Sequence, residues 1–349
     1  MKYIQLILLF VTFSIATSCN TETKKQITNT NDYNKYLSNQ KNNSFETSTS
    51  EFNFWQTKLI STPNQYPYNV KMAAANSALF KITGNINELK KAEQNLVIAN
   101  EKTGYNNAGY LRSLARNYIS QHRFKEALQL VLKAEENGEN LQQTRYMLID
   151  VYLELGNLPK VEAYLSKVKN FKEFNYLIRL SKYNDHIGNL DNAIKYLEAS
   201  LEIAKSSGND YLMQWNYTNL ADYYGHAGRI NDSYNSYLKS LALNPNDSYA
   251  KKGIAWIVYS YERNPAEALR ILESVTKENA SPDYFLLKAE IDLESRGLSD
   301  SEVKIAMEYT KKLMKPSYMA VVSLASTLFM SAIISGISAL VIKNNKPEA

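Results

Sequence analysis

Thiols are almost missing from this chain: one cysteine, Cys19, serves 349 residues. One thiol closes no internal disulfide and builds no cysteine-based zinc site, so neither staple holds the fold. Histidine is nearly as scarce, at three residues, a thin supply of bases and metal ligands. Nor does one charge sign dominate. The 40 Lys+Arg face 35 Asp+Glu, a margin that gives no electrostatic footprint for nucleic acid. The sequence has no glycine-rich phosphate loop, no G-x-S-x-G elbow and no H-E-x-x-H. With Cys19 the sole thiol, thiol catalysis is excluded too, and neither an enzymatic activity nor a cofactor is expected.

What is present starts with a short positive stretch, Met1-Lys2, and an apolar run from Ile4 to Ile15. The small residues Ala16-Thr17-Ser18 then precede Cys19. That is the order of a secretory signal peptide over residues 1–18, and the run is too short to span a bilayer. A lone cysteine after such a cut site resembles the lipobox of bacterial lipoproteins, which implies a mature chain anchored through a diacylated Cys19. Ala16 stands where that pattern prefers Leu, and Ala16 with Ser18 also satisfies an ordinary cut, so plain secretion stays open. Residues 19–50 are dominated by Asn, Thr, Ser and Lys. So little apolar surface does not offset the entropy of ordering, and a flexible tether is expected there, with a lead-in over 51–66.

Self-similarity sets in further along. Leu114, Leu148, Leu180, Leu220 and Ile254 fall 34, 32, 40 and 34 residues apart. One residue after each stands Ala115, Ile149, Ser181, Ala221 or Ala255, mostly small. Four after each stands Tyr118, Tyr152, Asn184, Tyr224 or Val258, mostly bulky. Thirteen after the first four come Ala127, Val161, Ala193 and Ser233, and one turn on come Val131, Leu165, Leu197 and Tyr237. Two antiparallel helices approach closely only where side chains are small, and Tyr or Leu fills the groove beside them. Gly156, Gly188 and Gly228 stand where the two helices turn.

This pattern resembles the tetratricopeptide repeat. The clearest copy is residues 214–247, with Tyr217, Leu220, Ala221, Tyr224, Gly228, Ser233, Tyr237, Ser240 and Pro245 at the family's offsets. The resemblance implies an all-α solenoid of about six helix-turn-helix repeats over 67–315. Weak end copies hold Phe80 and Gly84, and Leu287 and Ala289. Arg145, Asn184 and Lys251 occupy positions where the family prefers apolar residues, and the fifth copy carries one extra residue around Asn264-Pro265. Twenty-six Tyr beside three Trp is an unusual balance. A composition rich in Tyr, Lys and Asn matches an AT-rich genome and by itself assigns no function.

Residues 319–342 hold 24 residues without a charge, Asn, Gln or Pro. That length spans a hydrocarbon core, and Ser331, Ser335 and Ala339 recur at the interval by which membrane helices approach closely. A transmembrane helix is expected. The alternative is a buried helix closing the solenoid, for which only Ser and Thr offer a polar outer face. An export signal with a C-terminal span places the repeats in the cell envelope, facing the periplasm or exterior. Lys311, Lys312 and Lys315 run against the positive-inside bias in that orientation. The rival arrangement is a cytosolic, tail-anchored receptor of the same repeats.

His186 and His226 recur at one place in successive repeats, with Asp185 beside the first and Asp222 one turn before the second. Zn or Ni accept such ligands, although a helix dipole also favours His at a helix C-terminus. No metal is expected, and a metal-handling envelope protein is the alternative. The resemblance implies instead a concave face of first helices that grips a protein or peptide partner. Its outward residues are Arg112, Arg116, Tyr146, Asp150, Ile178, Lys182, Trp215, Asp222, Tyr249, Lys252, Trp256 and Tyr259. Aromatics crowd toward the later repeats, where they make good interface anchors. A membrane-anchored scaffold that binds another protein is the function expected.

Overall fold

The computed structural model describes residues 26–38, 43–275, 282–295 and 300–313. The expected signal peptide over residues 1–18, Cys19 and the apolar stretch 319–342 lie outside the described residues. Among the described residues no helix is long and apolar enough to cross a membrane.

The described elements are helices. A short α1 (Thr30–Tyr33) runs into one turn of 3-10 helix at Asn34–Tyr36, and α2 (Asn43–Ser61) follows. Six hairpins come next: α3 (Pro67–Thr83) with α4 (Ile86–Lys102), α5 (Ala108–Ser120) with α6 (Phe124–Asn137), and α7 (Leu141–Glu154) with α8 (Leu158–Lys167). The remaining three are α9 (Phe174–His186) with α10 (Leu190–Ser206), α11 (Asp210–His226) with α12 (Ile230–Leu243), and α13 (Ser248–Ser260) with α14 (Pro265–Glu273). A second compact unit begins at Pro282, where α15 (Pro282–Ser295) packs on α16 (Asp300–Leu313). In the first unit each second helix packs on its own partner and also on the first helix of the next hairpin.

Local chemistry sets where these helices begin and end. Asn85, Asn107, Asn157, Asn189, Asn209 and Asn264 each cap the helix that follows, the side chain accepting a backbone N–H of its first turn. Gly156, Gly188 and Gly228 have φ of 70°, 78° and 72°, the left-handed backbone that ends a first helix and costs glycine little. In three hairpins the glycine and the capping Asn are adjacent, so Gly84-Asn85, Gly156-Asn157 and Gly188-Asn189 stop one helix and start the next. The sixth hairpin makes the same turn one residue later, at Arg263 with φ of 52°, where the extra residue falls.

The repeating positions form the core. Leu114, Leu148, Leu220 and Ile254 are buried, as are the small residues Ala115, Ser181, Ala221 and Ala255 behind them. Ala127, Val161, Ala193 and Ser233 meet them from the second helices, all buried. The 40-residue spacing is taken up by α10 and α11, each 17 residues against 13 for α9 and 14 for α12. Of the three polar departures, Asn184 donates to Leu180 O at 2.7 Å and Arg145 lies 3.6 Å from Glu135. Lys251 is buried, which lowers its pKa against the opposing pull of Asp247.

Tyrosine ties the hairpins together. Tyr164 donates to Glu135 at 2.6 Å, Tyr183 to Glu162 at 2.5 Å, Tyr224 to Glu198 at 2.6 Å and Tyr249 to Asp222 at 2.6 Å. Each bond joins neighbouring hairpins, and together they cover four successive junctions from the second hairpin to the sixth. Tyr164 and Tyr224 are buried and their hydroxyls satisfy themselves on carboxylates, as buried tyrosines must, while Tyr183 and Tyr249 make the same bond nearer solvent.

The expected tether does not hold as drawn. Residues 26–38 are ordered against the fifth and sixth hairpins, and α2 covers Asn43–Ser61. Apolar content was the wrong measure for the first segment, because hydrogen bonds to Glu262, Glu267 and Tyr234 and one buried ring, Tyr33, order it. For α2, Phe52, Trp55 and Leu59 share the partly covered face, Trp55 packing near Tyr68 of α3, and the helix extends back from them past residue 50.

Among the described glycines, Gly253 in α13 has the closest neighbour. A Cβ there would overlap the ring of Tyr237 from α12. Gly253→Ala should destabilise the protein by roughly 1–3 kcal/mol in denaturant titration. Tyr237→Leu in the same chain should recover part of the loss, and no recovery would mean the contact is not the cause.

The tyrosines also make stability pH-dependent. Burial pushes Tyr146 up to about 12, and burial with a neighbouring carboxylate raises Tyr164, Tyr224 and Tyr237. A group with a raised folded pKa contributes fully below its unfolded value, about 10 for Tyr, and loses that contribution as pH rises beyond it. The denaturation midpoint should therefore hold steady up to about pH 10 and fall above it. Tyrosinate absorbance should appear in step with loss of helix. Full ionisation of the tyrosines while the helices persist would contradict this.

Candidate functional site

The first helices line up side by side, with α5 packing on α7, α7 on α9 and α11 on α13. Residues chosen for their helical register therefore share a face only where packing has not consumed them. Arg116 is exposed. Arg112 is half-buried and donates to Glu139 O at 2.8 Å and Thr144 Oγ1 at 3.1 Å, bracing the turn before α7. Tyr146 is a correction: only 2% exposed, it stacks under the guanidinium of Arg179 and belongs to the core. Arg179 also donates to Tyr146 O at 3.0 Å and to Asp150 at 2.6 Å, so Asp150 is half occupied by an internal ion pair.

Three consecutive first helices meet around a hollow of about 220 Å³. Asp150 and Glu154 come from α7, Lys182, Asp185 and His186 from α9, and Tyr223 from α11. Glu154, Lys182, Asp185 and His186 are exposed, and neither Glu154 nor Asp185 has an ion-pair partner among the described residues. With the Asp150 charge met by Arg179, the two carboxylates of Glu154 and Asp185 face one lysine and give the hollow a negative balance suited to a cationic side chain. Burial, with the nearby Asp185 charge, pushes Tyr223 up to about 12, so its hydroxyl stays a donor at neutral pH. Glu154 and Tyr223 escaped sequence reasoning because each stands one helical step from the position inspected.

The four candidate ligands of the alternative metal reading, Asp185, His186, Asp222 and His226, have other surroundings. Asp222 accepts from Tyr237 and Tyr249, both at 2.6 Å, and both imidazoles lie exposed. Among the described residues no three His, Cys, Asp or Glu side chains are grouped to hold a metal ion.

The aromatic end of the face survives in part. Trp215 is half-buried, with its ring 6.1 Å from Phe174 of the preceding first helix, beside Ile178, also half-buried. Tyr259 is only 7% exposed and is a second correction, since a core ring offers a ligand nothing. Tyr249 at 45% and Trp256 at 42% remain open, and a spacing of seven residues puts them on one face of α13. Lys252 lies 4.6 Å from the Tyr249 ring and Trp256 packs edge-on to Tyr261. Sequence register does not show which outward positions a neighbour covers: Tyr146 is covered by Arg179 of the next first helix.

No family model and no curated protein matches the chain. Solved structures do. A chain of the APC/C hetero-tetramer Cut9-Hcn1 aligns with a TM-score of 0.53 at 14% identity, covering 71% of this chain and 47% of that one. This chain thus spans about half the length of that neighbour. Yeast Tom70 aligns at a TM-score of 0.50 and 12% identity, covering 88% of this chain and 69% of that one. A Rap protein complexed with Competence and Sporulation Factor aligns at 0.50 and 13% identity, covering 77% and 98%. Identities this low speak to architecture alone. With hairpins, turn glycines and core register in place, the chain has the tetratricopeptide-repeat fold, an all-α solenoid of stacked helix pairs.

Proposed function

We propose that this protein is a binding scaffold, not an enzyme, and that it holds a segment of a protein or peptide partner along its first helices. The observation that carries this is the acidic hollow shared by α7, α9 and α11, with exposed Tyr249 and Trp256 further along on α13. A Lys or Arg of the partner enters between Glu154 and Asp185, and apolar side chains of the same segment rest on Tyr249 and Trp256. The similar Rap structure is a complex with Competence and Sporulation Factor, which supports a bound partner on this architecture.

Peptides selected from a displayed random library on the full chain test this. They should be enriched in Lys or Arg, and Glu154→Gln with Asp185→Asn should weaken them about tenfold and flatten their salt dependence. Trp256→Ala should cost about 2 kcal/mol of binding while leaving the melting temperature nearly unchanged. Leu220→Ala is the folding control, losing roughly 2–5 kcal/mol of stability through an unfilled cavity. Selected peptides that bind the charge-neutral variant as well as the parent would sink the proposal.

Anchorage in a cell envelope belongs to the same proposal, resting on the sequence pattern at both ends. Cys19 carries lipid and residues 319–342 cross the membrane, leaving the repeats on the periplasmic or outer side. Mass spectrometry should find an acylated Cys19 at the mature N-terminus. Cys19→Ala should still resist carbonate extraction until residues 317–349 are deleted. An unmodified Cys19, or release by Cys19→Ala alone, would remove the corresponding anchor.

A further inference from the structure

The N-terminal segment supplies a second interaction surface, independent of the groove. Residues 27–34 lie on the fifth and sixth hairpins, more than two hundred residues away in sequence. Their backbone is gripped by a carboxylate: Ile27 N and Thr28 N donate to Glu262 Oε1 at 2.7 and 2.5 Å, and Thr28 Oγ1 donates to Oε2 at 3.1 Å. Asn29 N donates to Tyr234 Oη at 3.1 Å, and that hydroxyl faces Asn29 O and Asp32 Oδ2, each at 3.2 Å. Asn29 then caps α1 by accepting from Asn31 N. One turn on, Tyr33 is 1% exposed, and its hydroxyl donates to Glu267 Oε1 at 2.7 Å. Arg270, paired with Glu267, donates to Asn34 Oδ1 at 2.9 Å.

This is how a folded surface recognises a peptide. One acidic side chain holds two successive amides, a hydroxyl reads the next residue, and one aromatic ring fills a closed seat. We propose that Tyr234, Glu262, Glu267 and Arg270 form a peptide-binding site on the second-helix side of the last two hairpins of the first unit. Its ligand is a Thr-Asn-x-x-x-Tyr-Asn segment that starts a single helical turn, and its resident occupant is residues 27–34 of the same chain. The attachment is small: Tyr33 and Thr28 are the buried side chains of the segment, and the bonds of Asn29 and Asn34 are part-buried or exposed. The segment belongs to the same chain as its seat, so its occupancy reflects a local concentration on the order of millimolar. The segment is therefore a releasable latch, closed in cis and open to exchange with a free peptide of the same chemistry.

A labelled synthetic peptide of residues 26–36 is the probe, offered to the full chain. Tyr33→Ala should empty the seat, so that this variant binds the peptide at least tenfold more tightly than the parent, whose site is filled. Adding Glu262→Ala to Tyr33→Ala should abolish that binding. Hydrogen exchange checks the latch without the peptide. Residues 27–33 should be protected in the parent and exchange at least tenfold faster in Glu262→Ala, with exchange in α5 to α10 unchanged. Equal peptide binding by parent and Tyr33→Ala, binding by neither, or an unprotected segment in the parent would overturn the proposal.

Discussion

A hairpin of two amphipathic helices has more apolar surface than it can cover by folding on itself. The face left over must be taken by the next hairpin, and that requirement organises everything else in the first unit. Stacking demands close approach, close approach demands small residues, and these recur at Ala115, Ser181, Ala221 and Ala255. Gly253 is the extreme case, with the ring of Tyr237 lying where any side chain would begin. The core is thus a row of interfaces, each repeating the one before it, and a change at one junction is felt first by its two neighbours.

Tyrosine answers a second demand of the same geometry. Between stacked hairpins the interior ends close to solvent, so a side chain that fills the junction must be apolar at its base and polar at its tip. Tyr164, Tyr183, Tyr224 and Tyr249 satisfy this by reaching a carboxylate on the adjoining hairpin. Tyr33 repeats the device with Glu267, so one chemistry fastens both the repeats and the N-terminal segment. The abundance of tyrosine, which looked like a compositional accident, has a structural use at successive junctions.

The two surfaces proposed for partners differ in kind. The first helices offer separated charges and open rings, a surface that a long, extended segment can cross. The second-helix side offers a closed seat and a carboxylate clamp already filled by the chain itself. Lining residues that the repeat register assigned to the groove divide on the same physical basis. Asp150 and Asp222 are engaged by Arg179 and by two tyrosines, whereas Lys182, Trp256 and Arg116 face outward.

Periodic features were legible in the sequence because a repeated packing problem leaves a repeated trace. The helix pairs, the turn glycines at 156, 188 and 228, the core register and the extra residue in the last of the six hairpins could all be placed from spacing alone. The unusual polar positions were visible too, though not their partners. Contacts without a period were hidden. Tyr146 and Tyr259 were read as outward positions, yet packing buries them, and the hollow at Glu154, Asp185 and Tyr223 exists only where three helices meet. The segment around Tyr33 was the least readable, since its polar composition argued for disorder and its order comes from Glu262, Glu267 and Tyr234 far along the chain. By itself the sequence determined the architecture, because helix pairing is local and recurs. Which charges stay available, and where the N-terminal segment rests, were decided only by tertiary structure, because those contacts occur once and join residues that no spacing rule connects.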